Sequence, residues 1–217
     1  MARPSRSAIE RELLDRHGRT YAEELRIDLA RGTPSPLFKL LVAAILFSAR
    51  IGASQGSRAA AALYREGWTS ARKLADSTWE ERVHVLDRNG YARYDDRTST
   101  MLGQDSELLL ERYGGDLRKL RDEAVRDPGK ERALLRQLKG LGNVGVDIFF
   151  REVQVAWDEL YPFADERALG EARRLGLPGD PKALARGHDR QTFARLVAAL
   201  VRSSLAKDHD EILQAAS

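Results

Sequence analysis

The chain contains no cysteine, which removes disulfides, thiolate zinc sites and cysteine-held iron–sulfur clusters together. Its histidines, His17, His84, His188 and His209, are scattered without an H-x-x-x-H spacing, so surface or packing roles fit them better than metal ligation. No apolar run approaches the roughly 18 residues of a membrane span, and the longest, LFKLLVAAILFSA, is broken by Lys39. The N-terminal stretch MARPSRSAIERELLDRHG lacks the apolar core of a secretory signal. A soluble, cytoplasmic protein with no metal and no other cofactor is the expectation. Period-two alternation is missing over any useful length, as are repeat-length self-similarity and low-complexity tracts, which argues against strand-built folds and solenoids.

What remains is a helical pattern over 217 residues, enough for one substantial core or two small lobes sharing an interface. The expected fold class is all-α. Ser7 and Glu10 read as a capping box for a helix running past His17-Gly18 to Leu29, and Ser35-Pro36 as the start of an apolar helix from Leu37 to about Ala49. Further helices are expected over 54–66, 70–76, 78–88 (opened by Ser77 and Glu80), 95–113 and 129–138 (opened by Asp127-Pro128). Two more fall over 143–160, with Val146, Phe149, Phe150, Val153, Trp157 and Leu160 on one face, and around Phe193 to Leu205. Net charge is +3, from 36 Lys plus Arg against 33 Asp plus Glu, a weak pointer to an anionic partner unless the cations share a face.

The stretch LKGLGNVGVDIFF, residues 138 to 150, concentrates glycine where a helix begins. Gly140 and Gly142 permit a tight turn through positive φ, leaving the N–H groups of Gly142, Asn143 and Val144 free at a helix N-terminus, a geometry that suits a phosphate diester. A plain connector between packed helices is the other reading. Gly145 falls inside the helix, where glycine costs roughly 0.5–1 kcal/mol relative to Ala, so a close approach of another backbone or a ligand is expected there.

With Leu141 between the two glycines, this stretch resembles the helix-hairpin-helix signature of the base-excision DNA glycosylases, the endonuclease III-like superfamily. Three other segments are similar to that family in the same order. VAWDELYPFADERALGEARRLG places Asp165 at the family's essential aspartate; LLVAAILFSARIGASQGSRAAAALY places Arg50 at the residue that fills the gap left by a flipped base; and NGYARYDDRTSTMLGQDSELLLERYGGDLRKL matches the helix ahead of the hairpin. The resemblance spans roughly residues 37 to 177. Within the family the pattern is nearest to the glycosylase domain of the methyl-CpG-binding thymine glycosylase, which has Gly, Asp and Arg at the positions of Gly145, Asp147 and Arg50.

The resemblance implies a two-lobed helical glycosylase fold without an iron–sulfur cluster. Its expected division is 1–36, a helix packing with the C-terminal helices; 37–138, a central helical lobe; and 139–217, hairpin, catalytic loop and C-terminal helices. It implies double-stranded DNA as partner, no membrane, and a monomer that associates with the nucleoid if the source is bacterial. Asp165 would stabilise positive charge developing on the sugar and orient water, although an aspartate opening DERALGEARRLG also reads as a helix cap. The family's lyase lysine would fall at Val144, which has no amine, so hydrolysis without strand cleavage is expected. Uracil or thymine opposite guanine is the favoured target, and an inactive lesion-binding protein is the alternative. Arg50 reads either as a wedge or as a surface arginine at a helix end. Tyr91 and Asp147 are candidate base-pocket residues, with packing and helix-surface roles as their alternatives.

Overall fold

The computed structural model describes residues 4–49 and 51–217; Arg50 therefore lies outside the described residues. Every regular element among them is helical. α1 (Arg6–His17) is capped by Ser5, whose hydroxyl accepts the Ala8 N–H at 3.2 Å. The expected continuation to Leu29 does not occur. α1 stops at Gly18, and Thr20 starts a new helix, α2 (Tyr21–Glu24), through a reciprocal box in which Thr20 Oγ1 accepts the Glu23 N–H and Glu23 accepts the Thr20 N–H.

α3 (Pro34–Ser48) begins two residues earlier than expected, with Thr33 at the cap and Pro34 at the first helical position, and buries nine apolar residues. α4 (Ala53–Arg65), α5 (Ala71–Ala75) and α6 (Trp79–Leu86) follow, the last opened by Thr78 and Glu81 rather than Ser77 and Glu80. A wide turn over Asp87–Tyr91, with Gly90 at φ 82°, leads into α7 (Asp95–Tyr113), which ends on left-handed Gly114. α8 (Leu117–Glu123) and α9 (Pro128–Leu135) precede the glycine turn and α10 (Asn143–Val153). α11 (Glu166–Leu175), α12 (Pro181–Leu184), α13 (Arg190–Ala206) and α14 (His209–Ala215) complete the chain.

α10 is shorter than the apolar pattern to Leu160 suggests. Gln154, fully buried, turns its amide onto the loop beyond: Nε2 donates to the Arg151 and Phe163 carbonyls and Oε1 accepts the Phe163 N–H at 2.9 Å. Two of these bonds hold Phe163 against the end of α10 and the third ties the amide back to α10, while the chain between runs as a loop and a short turn over Asp158–Leu160.

The buried apolar residues form two clusters. The first runs from Ala22 to Leu160 and centres on α3, packed against α10 and α4. The second joins Ile9 and Leu13 of α1 to Ala168, Ala172 and Leu175 of α11, Phe193, Leu196, Val197 and Leu200 of α13, and Ile212 of α14. α1 thus pairs with the C-terminal helices, whereas the hairpin helix α10 contributes Val146, Phe149, Phe150 and Val153 to the first cluster. The change from one cluster to the other falls between Leu160 and Ala164. Each fully buried Leu or Phe contributes about 1.5–3 kcal/mol, so Phe149→Ala in the α3–α10 contact would cost about 3–5 kcal/mol. No described helix is long and apolar enough to cross a membrane.

Candidate nucleic-acid interface

Leu138 and Leu141, both buried, anchor the turn between α9 and α10 to the first cluster, leaving Lys139, Gly140, Gly142 and Asn143 exposed. Gly140 takes φ +76°, and a Cβ there would meet Met101 at 3.0 Å and Ile45 at 3.3 Å. The left-handed backbone therefore favours glycine, and a side chain would also press on Met101.

Gly142 departs from expectation. Its φ is −76°, ordinary extended backbone, and it acts as the N-cap of α10 rather than as a left-handed turn residue. A Cβ at Gly142 would meet nothing within 4 Å, and no side chain caps the helix. The first rung of the ladder is the Val146 N–H to the Gly142 carbonyl at 3.0 Å, so the donors of Asn143, Val144 and Gly145 precede it. At Gly142 a side chain would thus find open space beside the start of α10. Val144 stands beside them with 64 % of its surface exposed.

Gly145 is buried against α3. A Cβ there would lie 2.5 Å from Ser48 Oγ and 2.8 Å from Leu141 Cδ1, so the close approach that it permits is of helix to helix. Asp147 lies in the helix-surface position, the alternative to a pocket role. It pairs with Arg132 of α9 at 2.7 Å and does not line the cavity described next, because the ion pair draws it along the helix surface.

Beside the turn lies a cavity of about 260 Å³ lined by Ile45, Ser48 and Ala49 at the end of α3, by Tyr91, Tyr94, Arg97, Thr98 and Met101 at and before the start of α7, and by Gly140. Tyr91 is buried, its hydroxyl donating to the Leu46 carbonyl at 2.9 Å and its ring meeting that of Tyr94 edge-on. Burial pushes its phenol up to about 12, so it stays a donor at neutral pH. The cavity thus combines two aromatic rings and the Arg97 guanidinium, and no carboxylate is among its lining residues.

Asp165 caps α11, Oδ1 accepting the Ala168 N–H at 3.0 Å. Oδ2 lies 3.1 Å from Nε of Arg151 on α10, and the two side chains are 9 % and 10 % exposed. One oxygen is thus hydrogen-bonded as a cap and the other lies beside a cation whose Nε–H donates to the Asp147 carbonyl at 3.3 Å. Phe150 and Phe163, stacked edge to face at 5.4 Å, and the Gln154 bonds fix the loop that delivers Asp165 to this pair. Asp165 is not among the residues lining the cavity.

Gly140 and Tyr91 thus meet in one cavity, Asn143 and Val144 flank its turn, and Asp165 and Asp147 lie outside its lining. Among the described residues, no group of three or more His, Asp or Glu is disposed to hold a metal. Arg151 carried no sequence signal, since only the fold brings it to Asp165. Asp105 did carry one: it stands among Leu102, Ser106 and Leu109 on the apolar face of α7, where a charged residue needs a reason. Compared with family models, curated proteins and solved structures, the chain matches none.

Proposed function

We propose that the chain is a helix-hairpin-helix DNA glycosylase without lyase activity, a two-lobed protein whose turn grips one phosphate while an extruded base enters the adjoining cavity. The observation that carries this reading is the double role of Gly140, which is the left-handed residue of the turn and part of the wall shared with Tyr91 and Tyr94. Helix-start donors position a duplex without reading its sequence, and a base must leave the stack before its glycosidic bond can be reached. On the resemblance, Asp165 stabilises the oxocarbenium-like sugar and orients water, Arg50 holds the emptied stack, and Val144 replaces the lyase lysine.

The second reading is DNA binding without turnover, and the Asp165–Arg151 pair favours it. The second oxygen of Asp165 faces the Arg151 guanidinium at 3.1 Å, so part of the charge it would offer a developing oxocarbenium is already countered. Duplexes bearing uracil, thymine opposite guanine and other lesions, treated with hot alkali after incubation, separate the two. Abasic sites formed by the unaltered protein and lost in a folded Asp165→Asn variant support the enzyme. Strand breaks before alkali would overturn the hydrolytic assignment, and tight duplex binding with no abasic sites would favour the second reading.

A further inference from the structure

The hairpin has one backbone hydrogen bond to a different element among the described residues. The Lys139 N–H donates to Asp105 Oδ1 of α7 at 2.6 Å, while the Gln137, Leu138 and Leu141 N–H groups turn back within residues 134 to 138. Asp105 is 3 % exposed, and its Oδ2 is buried without a partner. A carboxylate placed so expensively in an apolar face has a specific task or is a burden on the fold.

Its place in α7 indicates the task. Thr98, Met101 and Asp105 lie one and two turns apart on one face of the helix, the first two in the cavity wall and the third under the hairpin. Met101 also bounds the space at Gly140. One rigid helix therefore sets the position of the turn relative to the cavity, with its hydrogen bond made through Asp105.

On the reading of this face as a DNA grip, we propose that Asp105 is the positioning residue of that grip: by accepting the Lys139 N–H it holds the turn where the donors at the start of α10 meet a phosphate. It touches no DNA itself. Burial raises the Asp105 carboxyl to about 7, consistent with a group retained despite its desolvation.

Duplex affinity measured by fluorescence anisotropy over a series of salt concentrations tests the proposal, alongside thermal unfolding of each variant. Asp105→Leu removes the acceptor, and the folded variant is expected to bind about tenfold more weakly, with the slope of log K against log salt reduced by about one phosphate contact. Asp105→Asn keeps an acceptor oxygen and should retain both affinity and slope. A merely structural role would change the unfolding temperature without changing the slope. Amide exchange in the unaltered chain gives a check that does not depend on either variant folding: the Lys139 amide should be protected, and exchange at the rate of an open amide overturns the proposal. Undiminished affinity and slope in folded Asp105→Leu overturn it alone, whereas salt-insensitive or absent binding by the unaltered chain overturns the DNA reading together with it.

Discussion

The turn before α10 and the loop before α11 both deliver a helix N-terminus, yet they end differently. At Gly142 the cap has no side chain and a Cβ would meet nothing within 4 Å; at Asp165 the cap is a half-buried carboxylate with one oxygen on the Ala168 N–H and the other beside Arg151. An open N-terminus is available to an anion from outside, while a capped and ion-paired one is already satisfied. The open helix start is thus separate from Asp165, and the two are joined through α10, which begins after Gly142 and carries Arg151.

The largest effect expected is at the closed end. Asp165→Ala removes the cap and leaves Arg151 buried without its anion, which should cost about 3–5 kcal/mol in urea unfolding. Loss of only a few tenths would break the contrast by showing the pair to be weak. For the same reason activity lost in any Asp165 variant must be read on protein shown to be folded.

At the open end, Gly145→Ala should cost about 1–3 kcal/mol of stability, because the added methyl meets Ser48 and Leu141; the same denaturation measurement reads it. Gly142→Asp separates stability from binding more sharply. The carboxylate caps α10 and changes the unfolding temperature little or slightly upward, while duplex affinity falls about tenfold because it occupies the place of the phosphate. Equal affinity would show that the open cap is not the grip.

A third buried carboxyl sharpens the contrast with Asp165. Glu131 of α9 lies fully buried beside Glu159, whose carboxylate takes both available contacts of Arg121. Desolvation first, then hydrogen bonding with Glu159 and the charge of that carboxylate, raises Glu131 above the usual carboxylate range. A raised folded value means that its contribution is full below the ordinary carboxylate pKa and is lost as pH rises through the raised one. Stability should therefore decline by about 1 kcal/mol or more as pH rises from the ordinary carboxylate range to about 8, and Glu131→Gln should flatten that decline in urea midpoints taken across this window.

Periodicity and composition placed most helices, and α7 matched its expected bounds at Asp95 and Tyr113. Starts were less legible, because adjacent candidates compete: Ser5 took the place expected of Ser7, Thr33-Pro34 that of Ser35-Pro36, and Thr78 that of Ser77. The break at Gly18 had a readable signal in Thr20 and Glu23, a capping box outweighed by the apolar pattern. The end of α10 did not, since Gln154 stops it through bonds to Phe163 across a loop. The glycines of the turn were readable as a turn, but which of them needed left-handed backbone was not, as Gly140 and Gly142 are chemically alike and only packing against Met101 and Ile45 distinguishes them. Arg151 and Arg132, the partners that determine where Asp165 and Asp147 point, follow from three-dimensional proximity alone.

Because Gly140 forms part of the cavity wall, a molecule filling that cavity rests on the backbone of the turn itself. On the proposed reading of the turn as a phosphate grip, any coupling between cavity and turn is reciprocal by linkage: whatever factor a duplex changes in the affinity of a small aromatic probe, the probe changes in the affinity of the duplex.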